Sequence, residues 1–379
     1  MTEGISVPIE PAAFGLAPDE AEVVEHLGRR ALRFVDGSFN ALVAGVELVD
    51  GTIETDIAVP RERSFHGVVW RSAGADFESF FVRPHQVGNP DAIQYTPNPN
   101  GISSWQLYHG PGFWAPITFP IGDWCTIRVA FAGDRADIFV GNVHRPVLAV
   151  GELKLPRRAG DVGIQVGGPG LHVARFDYAI GTAPLVGVPE PEPSPHPGVI
   201  RHWEVSDAFP ESDLDGAATV SEALLRARSW TPLEAERSGL ANLGRIQPIK
   251  EDRNTALARA TIESDVAVLR PLEIGFSDRA TVFLNGRALF RGDETYRNRD
   301  YRFLGSIGWW DTVYLPLETG QNQLVIAVSE DFGGWGVQAR FAGRSKPVAR
   351  ADRSRGVGHG ARDVRPRNRD RLRGPLTRG

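Results

Sequence analysis

The amino-acid sequence predicts an all-β protein made of two antiparallel β-sandwiches (jelly rolls). Short segments in which apolar and polar residues alternate recur along most of the chain, and no convincing amphipathic helix separates them. Turn-forming residues are abundant, with 42 Gly and 28 Pro among 379 residues. Because a chain of this length exceeds one ordinary sandwich, we expect two domains.

Composition excludes several classes of protein. The chain has one cysteine, Cys125, so no intrachain disulfide can form, and its apolar neighbours predict a buried strand residue. The N-terminus lacks the basic and apolar regions of a signal peptide, which favours a cytoplasmic location and leaves secretion open. No run of about 18 apolar residues is present, so we expect no membrane-spanning helix and no membrane partner.

The first domain is predicted over residues 1–182. Its clearest strand is 53–59, where Ile53 and Ile57 point one way and Glu54 and Asp56 the other, as in a half-buried strand. Further strands are predicted at 21–25, 29–34, 41–49, 67–72, 93–96, 103–108, 124–132, 135–141, 146–153, 161–167 and 171–180.

If the segments 53–59, 67–72, 93–96 and 103–108 lie in one sheet, the sheet has one apolar face and one polar face. The members of the polar face would be Glu54, Asp56, Arg71, Gln94, Gln106 and Tyr108. We take this face as a candidate binding surface.

The stretch 76–114 is unusually rich in aromatic rings placed among planar polar groups. Sugars have weakly apolar faces and a rim of hydroxyl groups, so they are bound by such a combination. The same rings would also serve the core of a β-sandwich, and this alternative stays open. The predicted ligand-binding residues are Arg71, Arg83, His85, Gln94, Tyr95, Trp105, Gln106, Tyr108 and Trp114.

Arg83, His85 and Gln94 form the most suggestive polar set. Arginine offers a planar fork of donors and glutamine both donates and accepts, so the pair could recognise adjacent hydroxyl groups. The alternative is structural: Arg83 would pair with Glu78 or Asp91 and hold the loop at 86–102.

Four segments carry a family resemblance: Gly51–Ile57, Gly67–Arg71, Gly163–Val166 and Val173–Asp177. They resemble the concanavalin A-like lectin/glucanase superfamily, and within it the laminin-G-like and 3-keto-glycoside-hydrolase-like domains, over roughly 20–182. The resemblance implies a β-sandwich and a carbohydrate ligand.

The resemblance also raises the question of glycosidase chemistry at Glu54 and Asp56. A retaining glycosidase needs two carboxyl groups about 5 Å apart. The family 16 glycosidases of this superfamily carry a third carboxylate two or three positions further on, where this chain has Ala58 and Val59. We therefore predict no catalytic residue, and Glu54, Asp56 or Glu78 would act as acid or base only in the alternative of a glycoside hydrolase.

A proline-rich linker is predicted at 183–198, where the prolines favour an extended, semi-rigid spacer. The second domain, 199–343, has a hairpin turn at Asn285-Gly286 and a Gly-x-Asn turn before a buried strand that leads to Phe332–Val337. These motifs resemble the galactose-binding-like jelly rolls. Other predicted features are strands at 256–263, 271–276 and 280–284, a short helix within 217–229, a core position for Trp335, and a loop-built pocket from 296–302 and 309–311.

Residues 344–379 form a basic tail, with 12 Lys/Arg against three Asp, which we predict to be disordered. A nucleic-acid-binding arm, a drifted reading frame and a plain solvated tail remain open for it. The rest of the chain is acidic, which argues against nucleic acid as the main partner.

No cofactor or metal is predicted. The nine histidines are scattered singly, and no loop has EF-hand spacing, although a structural calcium ion in a sandwich loop is left open. We expect non-catalytic, lectin-like carbohydrate recognition by the first sandwich, assisted by the second. The alternatives are a glycoside-processing hydrolase of the 3-keto-glycoside-hydrolase-like type and a protein-interaction scaffold; the sequence indicates neither the sugar nor the oligomeric state.

Overall fold

A computed structural model describes residues 4–182, 184–192, 194–299 and 304–343. The predicted basic tail lies outside these residues. The first half of the chain forms fourteen strands: β1 (Ile5–Ser6), β2 (Ala21–His26), β3 (Arg29–Phe34), β4 (Gly37–Leu48), β5 (Gly51–Ala58), β6 (His66–Ala73), β7 (Asp76–Val82), β8 (Ile93–Asn98), β9 (Trp114–Ala115), β10 (Trp124–Ala132), β11 (Arg135–Val140), β12 (Leu148–Val150), β13 (Gly160–Gly168) and β14 (His172–Ile180).

These strands pair antiparallel into two sheets that enclose one core. One sheet, which we name the outer sheet, has the order β12-β11-β10-β5-β14-β3-β2, with β1 beside β14. The other, which we name the cleft sheet, has the order β4-β13-β6-β7-β8-β9. Residues at alternate positions of both sheets meet in the core. The rings of Trp70 on the cleft sheet and Phe131 on the outer sheet stack there with centroids 5.9 Å apart. Cys125 is buried, as predicted.

The second half of the chain forms a second pair of antiparallel sheets. Its elements are β15 (His202–Ser206), α1 (Glu222–Arg226), β16 (Trp230–Glu234), β17 (Leu240–Asn242), β18 (Thr255–Ser264), β19 (Val268–Ser277), β20 (Arg279–Leu284), β21 (Arg287–Asp293), β22 (Asp311–Leu317), β23 (Gly320–Ser329) and β24 (Gly336–Phe341). The sheet orders are β16-β15-β18-β23-β20-β21 and β17-β24-β19-β22. The predicted all-β class is confirmed.

A hairpin turn, a core tryptophan and a short helix of the second half are found where the sequence predicts them. Asn285 and Gly286 have φ angles of 47° and 80° and connect β20 to β21. Trp335 is fully buried in the core, as predicted. The short helix predicted within 217–229 is α1, which has five residues and begins where the Ser221 hydroxyl accepts a hydrogen bond from the Leu224 amide.

The expectation of one polar face on four strands is wrong. Strand β5 pairs with β10 and β14 in the outer sheet, whereas β6 and β8 belong to the cleft sheet. Residues 103–108 form turns rather than a strand, because their apolar side chains dock onto the second half of the chain; Leu107 packs beside Leu240 and Ile307. Strand β7 escaped prediction because apolar residues lie on both of its faces, Phe77 and Phe81 on one and Phe80 on the other, which removes the alternation.

The two halves are joined by direct contacts as well as by the linker. His109 Nε2 lies 2.7 Å from the Ile307 carbonyl oxygen, and Lys154 forms a 2.9 Å ion pair with Glu236, which also accepts a hydrogen bond from the Tyr108 hydroxyl. The linker is anchored where Asp137 accepts hydrogen bonds from the amides of residues 186 and 187. It is therefore held against the first sandwich at this point.

In the described residues, no helix is long and apolar enough to cross a bilayer.

Candidate functional site

A cleft of about 900 Å³ lies on the face of the cleft sheet that points away from the core. The sheet register places Asn40, Gln165, Gly67, Phe81 and Gln94 in one row across five strands. Gly67 contributes no side chain at the middle of this row, and a Cβ atom there would lie 1.8 Å from the carbonyl oxygen of Phe80. The close packing of backbone therefore leaves the row without a side chain between Gln165 and Phe81.

Strand β7 shows how the sequence divides between core and cleft. Phe77, Phe81 and the following Arg83 line the cleft, whereas Glu78 and Phe80 point into the core. This division follows from the two-residue period of a strand. The aromatic residues of this strand thus supply both the packing of the core and the floor of the cleft.

An aromatic wall closes one side of the cleft, and both halves of the chain build it. Trp105 comes from the first half, and Tyr296 and Phe332 come from loops of the second half. The ring centroids are 6.2 Å apart for Trp105–Tyr296, 6.2 Å for Trp105–Phe332 and 6.4 Å for Tyr296–Phe332. Since Phe332 is 51% exposed, its ring is available to a ligand.

One corner of the cleft, above the aromatic floor, is formed by two arginines and a histidine: Arg63, Arg83 and His85. The Arg83 side chain is buried over the ring of Phe81, with 4.9 Å between its Cζ atom and the ring centroid. It donates hydrogen bonds to the Asp91 carbonyl oxygen, at 2.7 Å, and to the Gln94 side chain. Burial lowers the pKa of Arg83 to about 10, so the side chain stays charged at neutral pH.

His85 is half-buried, and its ring lies 5.4 Å from the ring of Phe65. Its buried Nδ1 atom has no hydrogen-bond partner among the described residues. Burial, and then the positive charges of Arg63 and Arg83, lower the pKa of His85. The His85 side chain thus lines the cleft, while its Nδ1 atom is buried.

The remaining polar residues of the cleft carry short side chains or amides. Gln165 donates to the Phe65 carbonyl oxygen at 3.2 Å, and Asn98 is buried with its amide bonded to Ser79 and to backbone oxygens. The other polar lining residues are Asp36, Ser38, Asn40, Gln86, Asp91 and Ser103. The cleft thus combines aromatic faces with planar and hydroxyl hydrogen-bonding groups.

Three of the nine predicted binding residues line this cleft: Arg83, His85 and Trp105. Gln94 is buried behind it, where its amide donates to the carbonyl oxygens of Trp105 and Tyr108 and its oxygen accepts from Arg83. It orients Arg83 rather than facing a ligand. Arg83 lines the cleft and also contacts Asp91, which is one of the two partners that the structural alternative predicts.

The other predicted binding residues lie elsewhere. Arg71 is buried, with hydrogen bonds to Asp50 and to the carbonyl oxygens of residues 49 and 133. Tyr95 points into the core, because β8 turns this side of the strand toward the outer sheet. Gln106 and Tyr108 are buried where the two halves meet. Trp114 faces a second cavity of about 910 Å³ beside the linker.

The carboxylates of the hydrolase alternative also lie outside the cleft. On the outer sheet, Glu54 and Asp56 form ion pairs of 2.6 and 2.9 Å with Arg175. Glu78 is fully buried, and it accepts hydrogen bonds from the Tyr95 hydroxyl at 2.8 Å and the Leu155 amide at 3.0 Å. Burial raises the pKa of Glu78 to about 7.

Sequence reasoning missed several cleft residues: Asn40, Arg63, Phe65, Gln165 and Phe332. Asn40 and Gln165 are brought together by pairing of β4 with β13, which no local pattern reveals. Tyr296 was predicted in a pocket at the end of the second sandwich, and it lines the cleft instead. Residues 300–302 of that predicted pocket lie outside the described residues.

No protein-family model and no curated protein matches the chain. Among solved structures, it is similar to a carbohydrate-binding module, CBM66 from Bacillus subtilis, at 16% identity and a TM-score of 0.31, over 48% of this chain and 95% of that one. It is also similar to a putative glycosyl hydrolase from Parabacteroides distasonis, at 9% identity and a TM-score of 0.30, over 42% of this chain and 82% of that one. A third similar structure is that of a native glycosidic hydrolase, at 14% identity and a TM-score of 0.31, over 48% of this chain and 99% of that one. These neighbours are carbohydrate-binding and glycosyl hydrolase proteins. The β-sandwich fold of this chain rests on its own sheets.

Proposed function

We propose that this protein binds a carbohydrate without modifying it, and that the glycan lies in the cleft of the first sandwich. The observation that carries the proposal is the pairing of the aromatic wall, formed by Trp105, Tyr296 and Phe332, with polar side chains across the same cleft. Aromatic faces stack on the apolar faces of sugar rings, and the planar polar groups match their hydroxyl groups. A concave, partly apolar pocket of this size is the usual form of a small-molecule site.

The second sandwich takes part in the proposed site directly. Tyr296 and Phe332 come from its loops, and Gln106, which donates to the Leu304 carbonyl oxygen at 3.2 Å, ties the base of the wall to those loops. The glycan would therefore contact both halves of the chain.

A glycan array with the full chain tests the proposal, with Phe332→Ala as the cleft variant and Tyr314→Ala as its matched control. Both rings belong to the second half and are exposed, to 51% and 61%, but only Phe332 lines the cleft. We expect hits that weaken at least tenfold in Phe332→Ala and persist in Tyr314→Ala. Hits that persist equally in both variants would place the sugar elsewhere, and an empty array would favour the protein-interaction scaffold.

A glycoside hydrolase remains the second candidate, because two carboxyl groups, those of Asp36 and Asp91, line the same cleft. Glycosidases use a pair of carboxyl groups across the bond that breaks. Release of reducing ends from an array-positive glycan, abolished by Asp91→Asn while binding remains, would establish this function. Binding without turnover would support recognition alone.

A further inference from the structure

We propose that the glycan of this cleft is acidic, and that an oxyanion substituent, a carboxylate or a sulfate, binds between Arg63, Arg83 and His85. This inference rests on the proposed function and adds the chemical class of the ligand.

Arg63 is exposed at the rim of the cleft and is positioned by aromatic rings rather than by an acid. Its Cζ atom lies 5.4 Å from the centroid of Phe65 and 5.9 Å from that of Tyr296. Its guanidinium makes no hydrogen bond or ion pair with another residue in the described ranges. A planar donor fork held in this way matches a carboxylate or sulfate, which it can bind through two parallel hydrogen bonds.

Arg83 brings a second positive charge to the floor of the cleft, where its side chain is only 5% exposed. Both of its hydrogen-bond partners, the Asp91 carbonyl oxygen and the Gln94 amide oxygen, are neutral. The Asp91 carboxylate lies 3.8 Å away, beyond hydrogen-bond distance, and so offsets this charge only in part. Because burial reduces screening by solvent, the field of Arg83 extends into the cleft.

His85 completes the corner. Its ring lines the cleft, and its buried Nδ1 atom has no hydrogen-bond partner among the described residues. The charges of Arg63 and Arg83 both act on this ring, so the three groups share one electrostatic environment. An anion bound between them would accept hydrogen bonds from the arginines and favour the protonated imidazole.

The neighbouring surfaces fit a sugar better than a free anion. The rings of Phe65 and Phe81 lie beneath the cations, with Arg83 Cζ 5.8 and 4.9 Å from their centroids. A sugar ring could rest on this floor with its acidic substituent directed at the corner and its other residues along the aromatic wall. Asp36, the other acid of the cleft, accepts a hydrogen bond from the Gly170 amide.

Isothermal titration calorimetry of the full chain tests the inference with two pairs of probes. Oligogalacturonate, whose charges are all carboxylates, is compared with its carboxyl-reduced form, and a κ-carrageenan tetrasaccharide, whose charges are all sulfates, with its desulfated form. We expect at least one acidic probe to bind about tenfold more tightly than its neutral counterpart, since a charged hydrogen bond contributes roughly that factor. Which acidic probe binds distinguishes carboxylate from sulfate.

Arg63→Ala is the cleft variant and Arg61→Ala, an exposed arginine two residues away that does not line the cleft, is the matched control. Both variants keep the basic tail, so binding by the tail affects them equally. We expect Arg63→Ala to lose about tenfold in affinity for the acidic probe and Arg61→Ala to match the unmodified chain. Equal binding of acidic and neutral probes, or equal losses in both variants, overturns the acidic specificity and leaves the proposed function standing. If none of the four probes binds and the array is also empty, the proposed function and the acidic specificity both fail. If the protein binds only neutral glycans on the array, the acidic specificity alone is overturned.

Discussion

Replacing Glu78 with glutamine should change how the stability of the protein depends on pH. Glu78 is fully buried on the core side of β7, directly behind the floor of the cleft, and accepts hydrogen bonds from the Tyr95 hydroxyl and the Leu155 amide. Burial is the largest influence on its carboxyl group and raises its pKa from 4.5 to about 7. Glutamine resembles the protonated acid in shape but does not titrate.

The sign and size of the effect follow from proton linkage. Between pH 4.5 and about 7 the unfolded chain has released the proton of Glu78 while the folded chain retains it, so the free energy of unfolding falls as the pH rises. Each pKa unit corresponds to about 1.4 kcal/mol, which gives a total loss of roughly 3 kcal/mol by pH 8. Glu78→Gln should therefore match the unmodified protein near pH 4.5 and exceed its free energy of unfolding by roughly 3 kcal/mol at pH 8.

Urea unfolding followed by tryptophan fluorescence at pH 5, 6, 7 and 8 measures this difference. Glu263→Gln, at an exposed position in the second half of the chain, is the matched control and should track the unmodified protein at every pH. A Glu78→Gln profile parallel to that of the unmodified protein would refute the reasoning, because it would mean that the folded protein does not hold a proton on Glu78.

Three further predictions follow from the packing. Gly67→Ala should destabilise the protein by roughly 3 kcal/mol in thermal unfolding, because its Cβ atom would meet the Phe80 carbonyl oxygen; an unchanged melting temperature would contradict the geometry of the row. Tyr108→Phe should cost about 1 to 3 kcal/mol in urea unfolding, since it removes one hydrogen-bond donor from the partly buried carboxylate of Glu236, and a neutral result would argue against this contact between the two halves. Glu54→Gln should leave glycan binding in titration calorimetry unchanged, because Glu54 pairs with Arg175 on the outer sheet; a loss of binding would move the site to that sheet.

The sequence predicts those parts of the fold that depend on local pattern. Alternation identified most strands, and Asn285-Gly286 identified a hairpin, because each is determined by neighbours in the chain. The local pattern does not determine to which sheet a strand belongs. Strand β5 and strand β6 look alike in sequence, and only their distant partners, β14 and β13, separate them into two sheets.

The candidate site was predictable to the extent that one stretch of sequence builds it. The stretch 76–114 supplies Phe81, Arg83, His85 and Trp105 to the cleft. It also supplies Tyr95, whose ring looks equally suited to a sugar but serves the core and bonds to Glu78. Which aromatic ring is exposed depends on strand register and on how the second half docks, and neither is encoded locally.

The position of the glycan can be seen in a crystal structure of the full chain with a glycan selected on the array. We expect a sugar ring stacked on Trp105 or Phe332, with hydroxyl or acidic groups directed at Arg83 and His85. A glycan bound on the outer sheet, or in the cavity beside Trp114, with the cleft empty would contradict this expectation.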